Sequence, residues 1–431
     1  MEATPENREK LEKYILEYYA RSAFNTCTCT KIPKMSGEPM QVHWREGPLP
    51  KPDYTPAKIP HHWKSAVKEG LDNDGTLGII ERVPEGVPTR FCSRMIVQVK
   101  KNGKLRRCVD LQKINDHTFR EVNYNRVPHQ LVCDLPSGQK KTVLDAWNGY
   151  HAVELVDEAK EATTFITEWG PYRYCSSPQG YHASGDHYTR RMDEITMEVG
   201  NKRRCIDDTL LYQPDLEKSF WATVKYIDLC NKNGVIFNPK KFKFPEDIVE
   251  FAGFELTPSG YRPTKERMKA IADFPIPKNL TDIRAFFGLI EQVAFAFAKS
   301  EVMAPFRELL RKNRDFYWDK TLATLFEEAK VEIVHKIKDG VANFELGRKT
   351  MMTTDYSETG VGYFLRQQHC NCNMTIAPHC GQDHWKVVCI GSRVLRDSKK
   401  GLAPIEGEAL GMYYGLNSAR TLTDRWIRMR S

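Results

Sequence analysis

The segment Cys205-Ile-Asp-Asp-Thr-Leu-Leu211 places two adjacent aspartates between apolar, β-forming residues. This pattern predicts a hairpin over 204–212 with both carboxylates at its tip. Adjacent carboxylates repel each other, and burying one of them without a partner is costly. Because Mg²⁺ prefers oxygen ligands, the pair indicates a divalent-cation site. A solvated turn, in which aspartate is common, is the alternative interpretation.

A third carboxylate ends a predicted β-strand earlier in the chain. Thr142-Val-Leu-Asp145 is β-rich and is followed by Ala146-Trp-Asn-Gly-Tyr150. If this strand and the hairpin are neighbours in one sheet, three carboxylates converge and can hold two Mg²⁺ ions. One ion would activate an attacking hydroxyl, and the other would stabilise the leaving oxygens of an in-line phosphoryl displacement. The three aspartates therefore indicate the chemistry of nucleotide polymerisation.

The flanking sequence alternates between helical and strand patterns. Two β-rich runs surround Asn102-Gly103, a pair that strongly favours a hairpin, here over 95–110. The other predicted elements are a helix over 1–25, a proline-rich linker over 30–60, a helix from residue 62, a strand at Ile79–Ile80, helices over 184–199 and 216–233, a β segment over 249–256, helices over 264–340, strands from Met351 and Gly360, and a helix over 406–420. This order predicts a mixed α and β protein with at least one mainly antiparallel sheet.

Composition excludes a wholly disordered chain. The 431 residues are 41% hydrophobic and 11% aromatic, enough for sizeable cores, and suggest about three domains. The net charge of +8 is compatible with a polyanionic partner without requiring one. No apolar run approaches the ~18 residues of a membrane span, and residues 1–10 are too polar for a signal peptide. We therefore expect an intracellular protein without a membrane partner.

Seven short motifs follow one another in the order of a known family. They are Val99-Lys-Lys-Asn-Gly-Lys-Leu-Arg-Arg-Cys-Val-Asp110, Leu111-Gln-Lys-Ile-Asn115, Val143-Leu-Asp-Ala-Trp-Asn-Gly-Tyr150, Ser177-Pro-Gln-Gly-Tyr181, Cys205-Ile-Asp-Asp208, Phe251-Ala-Gly-Phe254 and Phe286-Phe-Gly-Leu289. Over nearly all of residues 60–420 the chain resembles the reverse transcriptase region of the Pol polyprotein of a metazoan Ty3/gypsy-like LTR retroelement.

The resemblance implies an α+β fold: a right-hand polymerase with fingers, palm and thumb and an antiparallel palm sheet, followed by a truncated ribonuclease H-like α/β domain. The implied domains are an N-terminal helix and Pro-rich linker (1–60), the fingers and palm (61–262), the thumb and connection helices (263–345) and the partial ribonuclease H-like domain (346–431). The implied activity is that of an RNA-directed DNA polymerase, which extends a primer on an RNA or DNA template with dNTPs. Other parts of a Pol polyprotein are further implied partners, and the implied location is the cytoplasm, virus-like particles or the nucleus.

The resemblance also assigns roles to individual residues. Asp145, Asp207 and Asp208 would be catalytic and would hold two Mg²⁺ ions, for which Mn²⁺ can substitute. Cys205 stands where most relatives carry Tyr, beside the metals and the primer end. The implied nucleotide-binding residues are Lys100, Lys101, Arg106, Tyr150, Gln179 and Lys241, and the implied primer grip is Phe251, Gly253 and Phe254.

General chemistry agrees with several of these roles. A basic hairpin can fold over a triphosphate, and the guanidinium of Arg106 can bind phosphate with two donors. The resemblance further implies that Tyr150 blocks a 2′-hydroxyl and so selects deoxynucleotides, and that Lys241 protonates the departing pyrophosphate. An exposed basic loop and an ordinary core tyrosine are the alternative interpretations of the first two features.

Residues after 345 resemble the start of a ribonuclease H domain. Asp355 and Glu408 match two of its metal-binding acids, but the strand that would carry the next acid does not follow. We therefore expect ribonuclease H activity to be absent or very weak, and residues beyond about 346 to be the most protease-sensitive part. Cys370, Cys372, Cys380 and Cys389 have ligand types that suit Zn²⁺, although their spacing is not that of a usual zinc knuckle. Free or redox-paired thiols are the alternative.

Two other functions compete with an active reverse transcriptase. A decayed or domesticated retroelement fragment would bind nucleic acid without turnover, and the truncated nuclease favours that reading. A viral RNA-dependent RNA polymerase is a third possibility, but such enzymes usually carry Gly before the Asp pair, where this chain has Ile206. The intact set of polymerase carboxylates favours activity.

Overall fold

The computed structural model describes residues 2, 4–99, 103–310, 315–370, 384–395, 401–420 and 422. It divides into two compact units. The first comprises Met1–Arg126 with Lys140–Glu246, and the second comprises Val127–Gln139 with Asp247–Ser431. Because these units are defined by compactness alone, they do not test the predicted four-part division, which stays a prediction.

The regular elements are as follows. The α-helices are α1 (Pro5–Tyr18), α2 (Lys64–Thr76), α3 (Gln112–Asp116), α4 (Pro128–Val132), α5 (Asp157–Ala162), α6 (Ser184–Ile195), α7 (Leu216–Lys232), α8 (Lys265–Ala272), α9 (Leu280–Glu291), α10 (Lys299–Val302), α11 (Ala304–Arg307), α12 (Lys320–Ile337) and α13 (Pro404–Ser418). The strands are β1 (Ile80–Arg82), β2 (Ser93–Val99), β3 (Leu105–Val109), β4 (Lys140–Asp145), β5 (Phe165–Thr167), β6 (Gly170–Tyr174), β7 (Lys202–Cys205), β8 (Asp208–Gln213), β9 (Lys243–Glu246), β10 (Val249–Phe251), β11 (Phe254–Leu256), β12 (Gly260–Pro263), β13 (Val341–Ala342), β14 (Thr350–Tyr356), β15 (Gly360–Gln368) and β16 (Trp385–Val394). Short 3₁₀ helices lie at His61–Trp63, Gly149–Ala152 and Glu308–Leu310.

The first unit contains the predicted antiparallel palm sheet, with strand order β7-β8-β4-β9. Its central strands are held by buried apolar side chains, including Leu144 and Leu210, which are fully buried. Helix α7 packs on β4 and β8, and its first turn is capped by Asp215, whose carboxylate accepts from the amide of Lys218 at 2.8 Å. The hairpin predicted over 204–212 and the strand predicted at 141–145 are confirmed as neighbours in this sheet.

A second sheet of the first unit has the strand order β1-β6-β5-β2-β3. It contains the hairpin predicted over 95–110, in which Met95 faces Val109 and Val99 faces Leu105. Strands β2 and β5 run parallel, while the other neighbouring pairs are antiparallel. The tip of the hairpin, residues 100–102, lies outside the described residues.

Two helices of the first unit are shorter than predicted. Helix α1 ends at Tyr18 rather than near residue 25, because the chain turns back there to bury Tyr19 and Phe24. The hydroxyl of Tyr19 donates to Asp228 at 2.5 Å in this turn. Helix α6 ends at Ile195 rather than 199, since the ammonium group of Lys202 donates to carbonyls just beyond it and satisfies the helix end.

The second unit contains the predicted β segment and most of the predicted C-terminal helices. Strands β10-β11-β12-β13 form an antiparallel sheet, and α8 to α12 occupy the described part of 264–340. Strands β14-β15-β16 form a separate antiparallel sheet that packs against α13. The sequence indicated β14, β15 and α13, but it gave no signal for β16. None of the helices in the described residues is both long and apolar enough to cross a membrane.

Helix α13 meets its sheet through glycines. A Cβ placed on Gly407 would lie 2.3 Å from the ring of Tyr356, and one on Gly415 would lie 2.8 Å from Sδ of Met352. The opposite face of the helix is apolar and exposed, with Ile405, Met412 and Leu416 in contact with solvent. Among the described residues, the sheet therefore covers one face of α13 and leaves the other exposed.

Candidate active site

Three aspartates come together at one end of the palm sheet. Asp145 ends β4 and is the direct cross-strand partner of Asp208, which in turn faces Cys205 across the turn. The amide of Ala146 donates to the carbonyl of Asp207 at 2.9 Å, so the strand end also holds the turn. The structure thus produces the convergence that the strand argument predicts. The metal-ligand role of these residues stays a prediction.

The turn that carries the aspartates has an unusual backbone. Ile206 adopts φ of 57°, a left-handed conformation that is costly for a β-branched residue. Arg204 supports this turn from below, with a side chain that is only 4% exposed. Its guanidinium donates to the carbonyl of Ile206 at 3.3 Å and reaches α6 through Thr189 and Asp193. The strained turn is therefore tied to a helix by a buried cation.

The carboxylates repel one another in a partly buried place. Burial, followed by the charge of Asp145, raises the pKa of Asp207 to about 6. Burial and a hydrogen bond to Asp145 also raise the pKa of Asp208. Oδ1 of Asp207 is buried and has no hydrogen-bond partner among the described residues. The site is therefore rich in negative charge, and one buried carboxylate oxygen has no hydrogen-bond donor among the described residues.

Lys241 supplies a positive charge at the edge of this cluster. Its Nζ lies 2.6 Å from Oδ2 of Asp145, and this hydrogen bond raises the pKa of Lys241. The backbone places it there, because the amide of Asn238 donates to the carbonyl of Asp145 and the amide of Lys241 donates to Asn238. Among the described residues no group of three or more His, Cys, Asp or Glu side chains is already arranged to hold a metal ion. The ammonium of Lys241 and the bond between Asp145 and Asp208 engage oxygens that a cation would need.

Two predicted nucleotide-binding residues lie next to each other. Nη2 of Arg106 on β3 donates to Oε1 of Gln179 at 3.4 Å, and both residues line a cavity of about 400 Å³ in the first unit. Gly180 has φ of 105°, which favours glycine and lets the backbone turn tightly there. Lys100 and Lys101 lie outside the described residues, so nothing is assigned to either of them.

The Pro178-Gln-Gly180 segment is held by side chains to which the sequence assigned no role. Asn115 donates from Nδ2 to the carbonyl of Gly180 at 2.9 Å and accepts from the amide of His182 at 3.0 Å. The hydroxyl of Ser184 donates to the carbonyl of Pro178 at 2.7 Å. Asn115 belongs to a motif of the resemblance, and that position was the one available signal for it.

Tyr150 lies beside the carboxylates and is only partly buried. Its ring meets that of Tyr188 edge to face, with centroids 5.5 Å apart. Burial, and then the charge of Asp207, raises the pKa of Tyr150 to about 12. Tyr188 itself is fully buried on α6, and burial raises its pKa well above the ordinary value. The sequence gave no reason to single out Tyr188, because a helical aromatic reads as an ordinary core residue.

The predicted primer grip lies in the second unit. Phe251 and Phe254 are buried, and the turn between them places Ala252 and Gly253 at φ of 51° and 83°. The guanidinium of Arg267 lies 5.4 Å from the ring centroid of Phe254, and a Cβ on Gly253 would collide with it. The side chains of the two phenylalanines therefore form the buried interior of the hairpin. The backbone of the hairpin is the part that the prediction would place against a primer.

The two predicted nuclease acids are not joined into a cluster. Asp355 and Glu408 are both exposed. The neighbours of Asp355 in β14, Thr354 and Tyr356, face α13, so strand alternation directs Asp355 to the other face of the sheet. No third His, Cys, Asp or Glu joins them in a metal-holding group within the described part of the chain.

Two of the four cysteines that are predicted zinc ligands lie within the described residues. Cys372 and Cys380 lie outside the described residues, while Cys370 and Cys389 lie within them. Sγ of Cys389 lies 3.3 Å from the hydroxyl of Tyr363 in the core of the sheet, and burial raises the pKa of this thiol. A raised pKa disfavours the thiolate that Zn²⁺ needs. The zinc site stays a prediction, and Cys389 gives it no support.

Comparison with known proteins agrees with this geometry. Residues 93–256 match the family model described as "Reverse transcriptase (RNA-dependent DNA polymerase)". This part of the chain is a reverse transcriptase domain, that is, a domain of the RNA-directed DNA polymerase class. The chain is 25% identical over 339 residues to the Transposon Tf2-7 polyprotein of Schizosaccharomyces pombe (strain 972), a match that covers 78% of this chain and 24% of the polyprotein. It thus spans about a quarter of the length of the curated relatives that it matches.

Solved structures show the same fold. The foamy viral protease-reverse transcriptase in complex with double-stranded DNA has a TM-score of 0.82 at 16% identity, covering 97% of this chain and 73% of that one. The same kind of protein in complex with an RNA/DNA hybrid has a TM-score of 0.79 at 16% identity, covering 98% of this chain and 56% of that one. These matches confirm the predicted α+β polymerase fold with antiparallel sheets. Metazoan origin and the ribonuclease H-like assignment stay predictions.

Proposed function

We propose that this chain is the polymerase of a retroelement and extends a primer on an RNA or DNA template by two-metal nucleotidyl transfer. The observation that carries the proposal is the meeting of Asp145, Asp207 and Asp208 at one end of the palm sheet. It lies inside the reverse transcriptase match. Template-primer duplexes and dNTPs are the partners, and other parts of a Pol polyprotein would accompany the chain.

The donor set at the site fits divalent cations. All three side chains offer carboxylate oxygen atoms, and the pKa of Asp207 is raised to about 6. These are the features of an acidic cluster whose negative charge Lys241 and Arg204 offset only in part, and oxygen ligands suit Mg²⁺. Asp145, Asp207 and Asp208 would hold two Mg²⁺ ions, with Mn²⁺ as a substitute. When bound, such ions supply activation of the attacking hydroxyl and stabilisation of the leaving oxygens.

The chain's own residues would position and protonate the nucleotide. Arg106 and Gln179 line one cavity and offer a guanidinium and an amide to the triphosphate and the base pair. Lys100 or Lys101 would add a second charge. Lys241 keeps a proton on Nζ because its pKa is raised, and it would donate that proton to the departing pyrophosphate. Tyr150 would lie under the sugar and exclude ribonucleotides.

A primer-extension assay tests this function. With Mg²⁺, the chain should extend a labelled primer on matched RNA and DNA templates. Asp207→Asn should lower the rate at least about a thousandfold, since the loss of roughly 4 kcal/mol of transition-state stabilisation has that effect. Primer-template affinity by fluorescence anisotropy should change less than about threefold, because phosphate contacts by basic residues dominate it.

Asp157→Asn is the matched control. Asp157 is an acid of the same unit whose side chain is 90% exposed and paired with Lys160, so its replacement should leave extension unchanged. Extension by Asp207→Asn at near the wild-type rate would refute the two-metal assignment. Tight duplex binding by a wild-type chain that never extends a primer would instead support the decayed-fragment alternative.

A further inference from the structure

Gly149 marks a close approach of two polar side chains to the backbone beside the carboxylate cluster. A Cβ on Gly149 would lie 2.7 Å from Cζ of Tyr188 and 2.8 Å from its hydroxyl oxygen. The same point lies 2.8 Å from Oδ1 of Asp207. The phenol on α6 and the carboxylate on the β7–β8 turn therefore face one place, which the absence of a side chain at Gly149 keeps open.

Both of these polar atoms lack a partner. The hydroxyl of Tyr188 and Oδ1 of Asp207 are buried, and neither has a hydrogen bond within the described part of the chain. Buried polar groups in proteins are nearly always paired. A phenol can donate and a carboxylate can only accept, so the two atoms are chemically complementary. Such a bond to a charged acceptor would be short and strong.

We propose that Tyr188 is a positioning residue of the polymerase site: in the working enzyme its hydroxyl donates a hydrogen bond to Oδ1 of Asp207. Both atoms lie 2.8 Å from the same point and the terminal torsion of an aspartate is soft, so the proposed bond requires a rotation of the carboxylate toward the phenol. The bond fixes which oxygen of Asp207 faces Asp145 and Asp208. This inference rests on the proposed function, because it assigns Tyr188 to the same carboxylate cluster.

The surroundings of Tyr188 suit a fixed anchor. The residue is fully buried, and its ring also supports Tyr150 edge to face at 5.5 Å. A phenylalanine would keep that ring contact and remove the hydroxyl alone. The substitution Tyr188→Phe therefore separates the proposed hydrogen bond from the packing of the helix.

The experiment compares Tyr188→Phe with Tyr226→Phe. Tyr226 is also fully buried, but its hydroxyl bonds to Thr209 at 2.7 Å, one residue beyond the catalytic turn. We expect Tyr188→Phe to lower the single-turnover rate about tenfold, with less than about a twofold change in KM for the dNTP. Mn²⁺ binding, measured by electron paramagnetic resonance on the complex with a chain-terminated primer, should weaken severalfold. Tyr226→Phe should alter thermal stability and leave these quantities within about twofold.

Gly149→Ala provides an independent route to the same bond. Its methyl group would collide with the phenol and the carboxylate and push them apart, so the rate and Mn²⁺ affinity should fall as in Tyr188→Phe. In the double variant the two losses should be less than additive, because both remove one interaction.

Three outcomes would overturn the proposal. A single-turnover rate and an Mn²⁺ affinity that are unchanged in Tyr188→Phe would show that the hydroxyl has no effect on the site. Equal losses in Tyr226→Phe would show a general packing effect, and full additivity with Gly149→Ala would show that the two sites act separately. If the wild-type chain binds Mn²⁺ but does not extend primers, the proposed function fails, while the Mn²⁺ affinities of the variants still decide the role of Tyr188.

Discussion

Asp207 and Asp355 are both acids that the family resemblance assigns to metal sites, yet their surroundings differ. Asp207 lies in a turn tied to β4 and to α6, beside two further aspartates, and burial raises its pKa to about 6. Asp355 lies on an exposed strand face, and Glu408 is exposed on the neighbouring helix. A motif carboxylate thus acquires a raised pKa where the fold buries it and packs other carboxylates against it.

The largest expected effect separates the two acids by function. Asp207→Asn should abolish extension, whereas Asp355→Asn should leave extension unchanged. The wild-type chain should extend a primer on RNA and yet leave the RNA strand of the hybrid uncut, because two-metal hydrolysis needs more carboxylates than Asp355 and Glu408 supply. The measurement is gel analysis of a labelled RNA–DNA hybrid with Mg²⁺ or Mn²⁺. Metal-dependent cleavage that disappears in Asp355→Asn would show that Asp355 belongs to an active nuclease site. The contrast drawn between the two acids would then be wrong.

A smaller effect concerns the aromatic neighbour of the buried cluster. Tyr150→Ala should lower the preference for dNTPs over rNTPs by about tenfold to a hundredfold, because the wall against a 2′-hydroxyl would be gone. The quantity to measure is the ratio of kcat/KM values for the two nucleotides. Tyr54→Ala, which changes an exposed tyrosine of the same unit, is the control. An unchanged ratio would assign Tyr150 to the core.

The smallest expected effect is on the free energy of unfolding. Removing the Asp207 carboxylate should stabilise the fold although it abolishes primer extension. Because folding raises the pKa of Asp207 to about 6, the folded state binds a proton at this carboxyl more tightly than the unfolded state does. This proton binding stabilises the folded protein at low pH, and the stabilisation is lost as the pH rises through 6. At pH 7 in EDTA, Asp207→Asn should therefore stabilise the protein by about 1–2 kcal/mol, allowing for partial exposure. At pH 4 the gain should vanish.

Chemical denaturation at the two pH values measures this difference. Asp355→Asn, which changes an exposed carboxylate, is the control at both pH values. A destabilised Asp207→Asn at pH 7 would mean that the repulsion within the cluster is already compensated in the metal-free protein.

The parts of the molecule that were predictable from sequence are those set by local signals. Asn102-Gly103 and the Asp207-Asp208 pair marked hairpins, and the β-rich run before Asp145 marked its strand. Ends set by distant contacts were not predictable. Helix α6 stops early because Lys202, beyond the helix, satisfies its terminal carbonyls.

The same distinction holds within the site. The aspartates could be named from sequence, since their spacing carries the chemistry. Arg204 could not, because a strand arginine is normally solvated and here is 4% exposed under the turn. Tyr188 and Gly149 could not be named either, since their contact exists only once α6 has packed against the 3₁₀ helix Gly149–Ala152.

The left-handed residue Ile206 has a consequence for protein engineering. Stabilising designs usually replace such a residue with glycine or asparagine, which tolerate positive φ without penalty. Here that replacement would relax the backbone and also let the Asp207-Asp208 turn adopt more conformations. A consensus or thermostability screen that scores melting temperature alone would reward the change at Ile206. Screens on this chain should therefore exclude that position or select for turnover together with heat resistance.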